Sequence, residues 1–116
     1  MKKTTILSLG LLLGLFSISQ NSIAQKVFSC NYKSEADIKV FVSKYKSDAD
    51  LIVYKCKYKS DASGNNGLWY FVNYKSDADK KIFFTDYKSD ADLIIYFSDY
   101  KSDAEWKNSS KKQLLL

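Results

Sequence analysis

A five-residue phrase, Tyr-Lys-Ser-Asp-Ala or a one-letter variant, occurs six times in this chain, and its spacing limits the folds that the chain can adopt. The phrase begins at Tyr32, Tyr45, Tyr58, Tyr74, Tyr87 and Tyr100. Successive tyrosines are 13 residues apart, except that the third and fourth are 16 apart. The extra length falls in the segment "SGNNG" (63–67), whose glycines and asparagines favour a loop. The array therefore divides into three repeat units followed by three more, numbered 1 to 6 by their tyrosines.

The residues that precede each motif tyrosine predict a β-strand. Five positions before it the residue is always apolar: Val27, Val40, Val53, Trp69, Ile82 and Ile95. Four positions before it the residue is always aromatic: Phe28, Phe41, Tyr54, Tyr70, Phe83 and Tyr96. Because alternate residues of a strand share a face, the second set and the motif tyrosines would lie on one side. We therefore predict that these two aromatic positions supply most of the core.

A helical alternative has to be weighed, because Ser47 and Asp50 fit the pattern of a helix-capping box. Only about seven residues (51–57) lie between Asp50 and the third phrase, however, and an isolated helix of that length is marginal. This stretch contains Ile52, Val53 and Tyr54, which are β-branched or aromatic and favour a strand. We predict an all-β fold of six short strands, each followed by a turn whose Ser and Asp oxygens accept backbone N–H bonds.

The N-terminus has the layout of a secretory signal peptide. Lys2 and Lys3 precede an apolar run at 6–16, and Ala24 occupies a small-residue position suited to cleavage. The run is shorter than the roughly 20 residues of a membrane-spanning helix. We expect residues 1–24 to be removed and the mature chain, from Gln25, to be secreted or periplasmic.

The rest of the chain divides into a repeat domain at 25–106 and a C-terminal tail at 107–116 that packs back or frays. The formal net charge is +5, but lysines alternate with acids, unlike the single-sign clusters of nucleic-acid-binding surfaces. The chain contains no histidine, the commonest acid–base residue, and six equivalent phrases argue against one distinctive catalytic site. We expect a monomer with no enzymatic activity, catalytic residue or cofactor.

Two cysteines, Cys30 and Cys56, lie in the part of the chain expected to be exported. An oxidising compartment would permit a disulfide between them, and two buried free thiols are the alternative. The sequence leaves both open. A zinc site is not expected, because zinc prefers four ligands and no histidine is present.

The segments "NYKSEAD", "KYKSDAD", "KYKSDAS", "NYKSDAD", "DYKSDAD" and "DYKSDAE" resemble the repeats of the 7(1) septoil knot family of small bacterial β proteins. The resemblance extends from Val27 to Trp106. It implies a compact all-β domain whose backbone is threaded into a deep 7(1) torus knot, and it carries no known activity, cofactor or catalytic residue. Three units followed by three suggest two laps around one axis, with unit 1 beside unit 4.

Two functions are compatible with these features. The first is an exported structural or binding module with an unidentified protein or glycan partner, for which Trp69 and Tyr70 beside the loop are candidate contacts. Trp69 is alternatively a larger version of the valine found at its repeat position. The second function is a calcium-dependent adhesion module, in which pairs such as Asp48 and Asp50 would supply oxygen ligands. The alternative role for these acids is turn capping and pairing with lysines.

Overall fold

A computed structural model describes residues 25–116, so the predicted signal peptide at 1–24 lies outside the described residues. These residues form seven strands: Gln25–Ser29 (β1), Ile38–Val42 (β2), Leu51–Lys55 (β3), Leu68–Phe71 (β4), Lys80–Phe84 (β5), Leu93–Ser98 (β6) and Glu105–Trp106 (β7). Units 1 to 6 contribute β1 to β6 in order. The predicted all-β architecture is confirmed.

Each of the first six strands is followed by one turn of 3₁₀ helix, here called the corner turn. The corner turns are Lys33–Glu35, Lys46–Asp48, Lys59–Asp61, Lys75–Asp77, Lys88–Asp90 and Lys101–Asp103. In each, the amide of the acidic residue donates to the carbonyl of the motif tyrosine, and the alanine amide donates to the lysine carbonyl. These i→i+3 bonds are the short 3₁₀ pattern, so the repeated phrase encodes a repeated backbone corner.

The first six strands close into a parallel barrel in the order β4-β1-β5-β2-β6-β3, with β3 pairing back to β4. Strands from units 1–3 alternate with strands from units 4–6. Unit 1 lies beside unit 4, unit 2 beside unit 5 and unit 3 beside unit 6, as the two-lap hypothesis predicts. The short β7 pairs antiparallel with β3, on the edge that β4 also uses.

The second lap is offset from the first by a single irregular step. Successive units move two places around the ring of six strands, except that β4 lies next to β3. A third step of two places, from β3, would bring the chain back to the place of β1. The step of one place instead puts β4 between β3 and β1, so that the strands of the second lap lie between those of the first. The loop at 63–67 makes this step. Its Gly67 has φ of 92°, and a Cβ there would lie 2.3 Å from the Ile52 carbonyl oxygen.

The corner segments of units 1, 2, 4 and 5 each cross over a strand of the other lap. The Cys30 amide donates to Ile82 on one edge of β5 (2.7 Å), and the Asp37 amide donates to Lys81 on the opposite edge (2.7 Å). Residues 31–36 therefore span β5, and they do so on the outside because core side chains fill the interior. The corner segment of unit 2 crosses β6, and those of units 4 and 5 cross β1 and β2, by equivalent bonds. These reciprocal crossings thread the two laps into a knot.

The core lies on the face opposite to the one that we predicted. The residues five positions before the motif tyrosines are all fully buried: Val27, Val40, Val53, Trp69, Ile82 and Ile95. The aromatic residues one position later are only half-buried, on the outer face, and the motif tyrosines are 64–72% exposed. The prediction that these aromatics form the core is therefore wrong. The interior of an eight-stranded barrel is just wide enough to be filled by side chains. The interior of this six-stranded barrel is narrower, so it accommodates mainly compact branched side chains.

Both ends of the barrel are covered by side chains. Near the carboxyl ends of the strands, Phe71, Phe84 and Phe97 form a triangle with ring centroids 6.3–6.5 Å apart. At the amino ends, a C-terminal 3₁₀ helix, Ser109–Leu115, packs back and buries Leu115 among the core residues. No helix within 25–116 has the length and apolarity needed to cross a bilayer.

Candidate functional site: the belt of corner turns

Ion pairs link neighbouring corner turns into a belt around the barrel. In each link, the lysine of one turn pairs with the first acid of the next turn in ring order. The links are Lys75–Glu35 (3.3 Å), Lys33–Asp90 (2.6 Å), Lys88–Asp48 (2.7 Å), Lys46–Asp103 (3.4 Å) and Lys101–Asp61 (4.0 Å). Within residues 25–116, five of the six joints between turns are closed in this way. At the sixth, between units 3 and 4, no ion pair joins Lys59 to Asp77.

In units 2, 5 and 6 the first acid also accepts a bond from a Ser or Thr hydroxyl of its own unit. The Ser43 hydroxyl lies 3.2 Å from Asp48 Oδ2 and accepts a bond from the Tyr45 amide, which fixes the entry into the corner. The hydrogen bond from Lys88, followed by that from Ser43, lowers the pKa of Asp48. Hydrogen bonds of the same two kinds lower the pKa of Asp90 and Asp103, the lysine bond dominating at Asp90 and the serine hydroxyl bond at Asp103.

In units 1, 2, 4 and 5 a second acid directly follows the phrase and caps the strand that its corner segment crosses. Four carboxylates accept from a backbone amide at 2.8–2.9 Å: Asp37 from Lys81, Asp50 from Ile94, Asp79 from Lys26 and Asp92 from Lys39. The acids of the repeats thus take part in the turn capping and lysine pairing that the sequence suggested as the alternative to calcium. Among residues 25–116, no cluster of three or more His, Cys, Asp or Glu side chains is arranged to hold a metal ion.

The six motif tyrosines project from the belt into solvent, and we call them the tyrosine ring. Each has extended backbone and immediately precedes the corner turn, to which it contributes its carbonyl oxygen. The side chains remain 64–72% exposed. An exposed tyrosine offers an apolar face and a polar hydroxyl to a partner. Sequence reasoning missed this surface, because it assigned these residues to the core.

The two predicted contact residues have different environments. Trp69 is fully buried inside the barrel, with its ring edge-on to Phe71 at a centroid distance of 6.1 Å. Its side chain has no exposed surface, and it lies at the position that valine or isoleucine occupies in the other units. Tyr70 lies on the outer face, is half-buried, and lines a surface pocket between units 3 and 4.

The suggested disulfide between Cys30 and Cys56 is not formed. Both cysteines are free and buried, and they follow strands β1 and β3, which β4 separates. Burial raises the pKa of both thiols, which favours the protonated and less nucleophilic form. The two cysteines occupy the repeat position two before the motif tyrosine, where a small side chain fits beneath the corner. The alternative of two buried thiols therefore describes them.

Two surface pockets adjoin the belt. The larger, of about 490 Å³, lies between units 2 and 5 and has Val42, Phe84 and Tyr45 in its walls, with the Lys88–Asp48 ion pair at its side. The smaller, of about 180 Å³, lies between units 3 and 4, at the joint that no ion pair closes.

The interleaved laps, the closed parallel ring and the reciprocal crossings define a class of protein: a knotted all-β repeat domain. A comparison with protein families matches residues 24–107 to the 7(1) septoil knot domain. The chain belongs to that family, as the repeated phrase suggested. No curated protein and no solved structure matches the chain.

Proposed function

We propose that this protein is an exported, non-enzymatic binding module that contacts its partner through the tyrosine ring. The observation that carries the proposal is the exposure of all six motif tyrosines, 64–72% each, along the belt of corner turns. Tyrosine is enriched at interfaces, because its side chain combines an apolar ring with a hydroxyl that can form hydrogen bonds. The repetition gives the surface several equivalent contacts, so individually weak contacts can combine into firm binding.

The tyrosine side chains are not needed to form the corner. The corner turn uses the main-chain carbonyl of the motif tyrosine, and in units 2, 5 and 6 a Ser or Thr hydroxyl accepts from its amide. These bonds would form with almost any residue at that position. The aromatic ring therefore contributes to the surface, which supports a role in binding.

The charged groups of the belt support a non-enzymatic role. Lysines and first acids pair with each other in five joints, and four second acids cap strands. Groups held in such pairs are less free to act on a substrate, and the near-equivalence of the units favours repeated contacts over a single reaction centre. The partner is a protein or a glycan of the compartment outside the inner membrane, and the binding module is a monomer.

The test compares the wild-type protein with a variant in which all six motif tyrosines are replaced by serine. Both proteins are immobilised and exposed to outer-compartment extract and to purified cell-surface polysaccharides. We expect the wild-type protein to retain a defined component that the variant loses, while both give the same circular dichroism spectrum. Two half-variants, Y32S/Y45S/Y58S and Y74S/Y87S/Y100S, should each lose part of the binding, because their tyrosines alternate around the belt. Equal retention by the wild-type protein and the six-serine variant would refute the proposal.

A further inference from the structure

The joint between units 3 and 4 is the one place where the belt departs from its repeat. At the five other joints a lysine and an acid neutralise each other across neighbouring corner turns. At this joint, within the described residues, Lys59 and Asp77 do not pair, and a pocket of about 180 Å³ lies between them. The difference follows from the one-place step, since the chain passes here directly from one strand to its neighbour instead of across an intervening strand.

The pocket combines charged, amide and aromatic groups. It is lined by Lys59, Tyr70, Val72, Asn73, Tyr74 and Asp77. Its volume corresponds to about six water molecules, which is room for one small polar ring and not for a large ligand. Tyr74 belongs to the tyrosine ring and Tyr70 is the outer aromatic of the same unit, so two aromatic side chains of unit 4 meet the open joint.

The hydrogen-bonding groups of the pocket complement a polyhydroxylated molecule. The Lys59 ammonium donates, the Asp77 carboxylate accepts, and the Asn73 amide does both. A sugar ring presents hydroxyl groups around its edge and C–H groups on its faces, so it can use these groups and the tyrosine faces together. Recognition by charge alone is less favourable, because ion pairs at exposed side chains contribute only about 0–1 kcal/mol each.

We propose that this pocket, the open joint, binds a single sugar residue, either free or at the end of a glycan chain. The inference rests on the proposed binding function and names a site and a ligand class for it. At the closed joints the lysine and the acid satisfy each other. Residues 25–116 therefore hold one such site beside six exposed tyrosines.

The site is tested by ¹H–¹⁵N NMR titration of the purified exported protein with D-glucose, D-galactose, D-mannose and N-acetyl-D-glucosamine. L-Alanine serves as a zwitterionic probe that matches the two charges without a sugar ring. We expect at least one sugar to shift the amides of Lys59 and residues 72–77 in the millimolar range, and alanine to shift them less. K59Q and D77N should each weaken sugar binding by about two- to fivefold, the contribution of one exposed charged group.

The matched controls lie at a closed joint. K88Q and D48N remove the same two chemical groups from the joint between units 5 and 2, and they should leave the sugar titration unchanged. The inference fails if no sugar moves these amides, if alanine binds more tightly than every sugar, or if the control variants weaken binding equally.

The outcomes separate this site from the proposed function of the tyrosine ring. A variant in which the five other motif tyrosines are replaced by serine and Tyr74 is retained should no longer capture the partner. It should still show the sugar-induced shifts in the NMR titration. If sugar binds but the six-serine variant captures as much material as the wild-type protein, the tyrosine ring fails as the contact surface and the open joint stands. If the ring captures a partner but no sugar binds, the open joint fails alone.

Discussion

The carboxylate of Asp50 should be the most stabilising of the repeated acids. It is the second acid of unit 2, and its side chain is only 13% exposed. One oxygen accepts from the Ile94 amide at 2.9 Å and lies 3.3 Å from Lys111 Nζ. The other oxygen accepts from the Asn108 side chain at 3.3 Å. Asp50 therefore joins a corner turn, strand β6 and the C-terminal segment.

Replacing Asp50 by alanine removes all three interactions and leaves the Ile94 amide without its acceptor. A hydrogen bond to a charged group contributes about 1.5–3 kcal/mol, and an unpaired buried donor costs about 1–3 kcal/mol. These overlap, so we expect D50A to lower the free energy of unfolding by about 3 kcal/mol. The matched substitution D79A should lower it by about 1 kcal/mol, because Asp79 is exposed and its carboxylate accepts a single bond, from the Lys26 amide at 2.9 Å.

The assay is equilibrium urea unfolding followed by circular dichroism, with samples approached from the folded and the unfolded side until the two curves coincide. This precaution matters because a knotted chain has to thread a terminus whenever it folds. The ratio of the two effects is the decisive quantity. If D50A and D79A destabilise equally, the carboxylate acts only as a local cap, and the linking role assigned to Asp50 is refuted.

Three further predictions follow from particular residues. G67A should destabilise the fold by more than about 2 kcal/mol, because the new Cβ would lie 2.3 Å from the Ile52 carbonyl oxygen at a φ of 92°. G64A is the control, since its Cβ would meet nothing closer than 3.4 Å, and an equal effect of the two changes would contradict this reasoning. W69V should lower the free energy of unfolding by about 2–4 kcal/mol by leaving a cavity in the barrel, and a loss below about 1 kcal/mol would show that the neighbouring side chains refill the space. Lastly, acid should weaken the belt, because the folded protein lowers the pKa of Asp48, Asp90 and Asp103. These carboxylates stabilise the fold at pH values above their ordinary pKa of 3.8, and that contribution is lost as the pH falls through the lowered pKa values. The urea midpoint of the wild-type protein should therefore fall more between about pH 5 and pH 2 than that of the D48N/D90N/D103N variant, and parallel profiles would refute the assignment.

The succession of strands and corners and the division into two laps could be predicted, because both depend only on the spacing of the repeated phrase. A 13-residue period with polar corners and β-branched or aromatic segments specifies strand and corner, and the irregular spacing at 63–67 divides six units into two laps. The inward face could not be predicted in the same way. Each of the first six strands carries apolar or aromatic residues on both faces, such as Val27 and Phe28 in β1, so alternation alone does not distinguish the faces. The selection comes from the narrow interior of the closed ring, which admits Val27 and its equivalents and leaves Tyr32 and its equivalents in solvent.

That lysines pair with acids in the belt could be predicted from the sequence, but which lysine pairs with which acid could not. Pairing between repeated lysines and acids follows from their alternation in the phrase. The partners do not, because Lys33 meets an acid 57 residues later and Lys75 meets one 40 residues earlier. These separations reflect the order of strands in the ring, which becomes known only when the ring is closed. The open joint between Lys59 and Asp77 is a consequence of the same order.

The one-place step also determines how a chain of this kind can change over evolutionary time. Stacked repeat proteins gain or lose units readily, because each unit contacts only its neighbours. Here the ring has six strand positions and successive units lie two positions apart, which allows three units in each lap. A seventh full-length strand would require a position that is already occupied. The segment after unit 6 illustrates this limit: β7 pairs for two residues with β3 beside β4, and the chain then continues into the C-terminal helix that caps the barrel. The closed ring of strands therefore fixes the number of repeat units at six. Variation in chain length is confined to the corners, the loop at 63–67 and the ends of the chain.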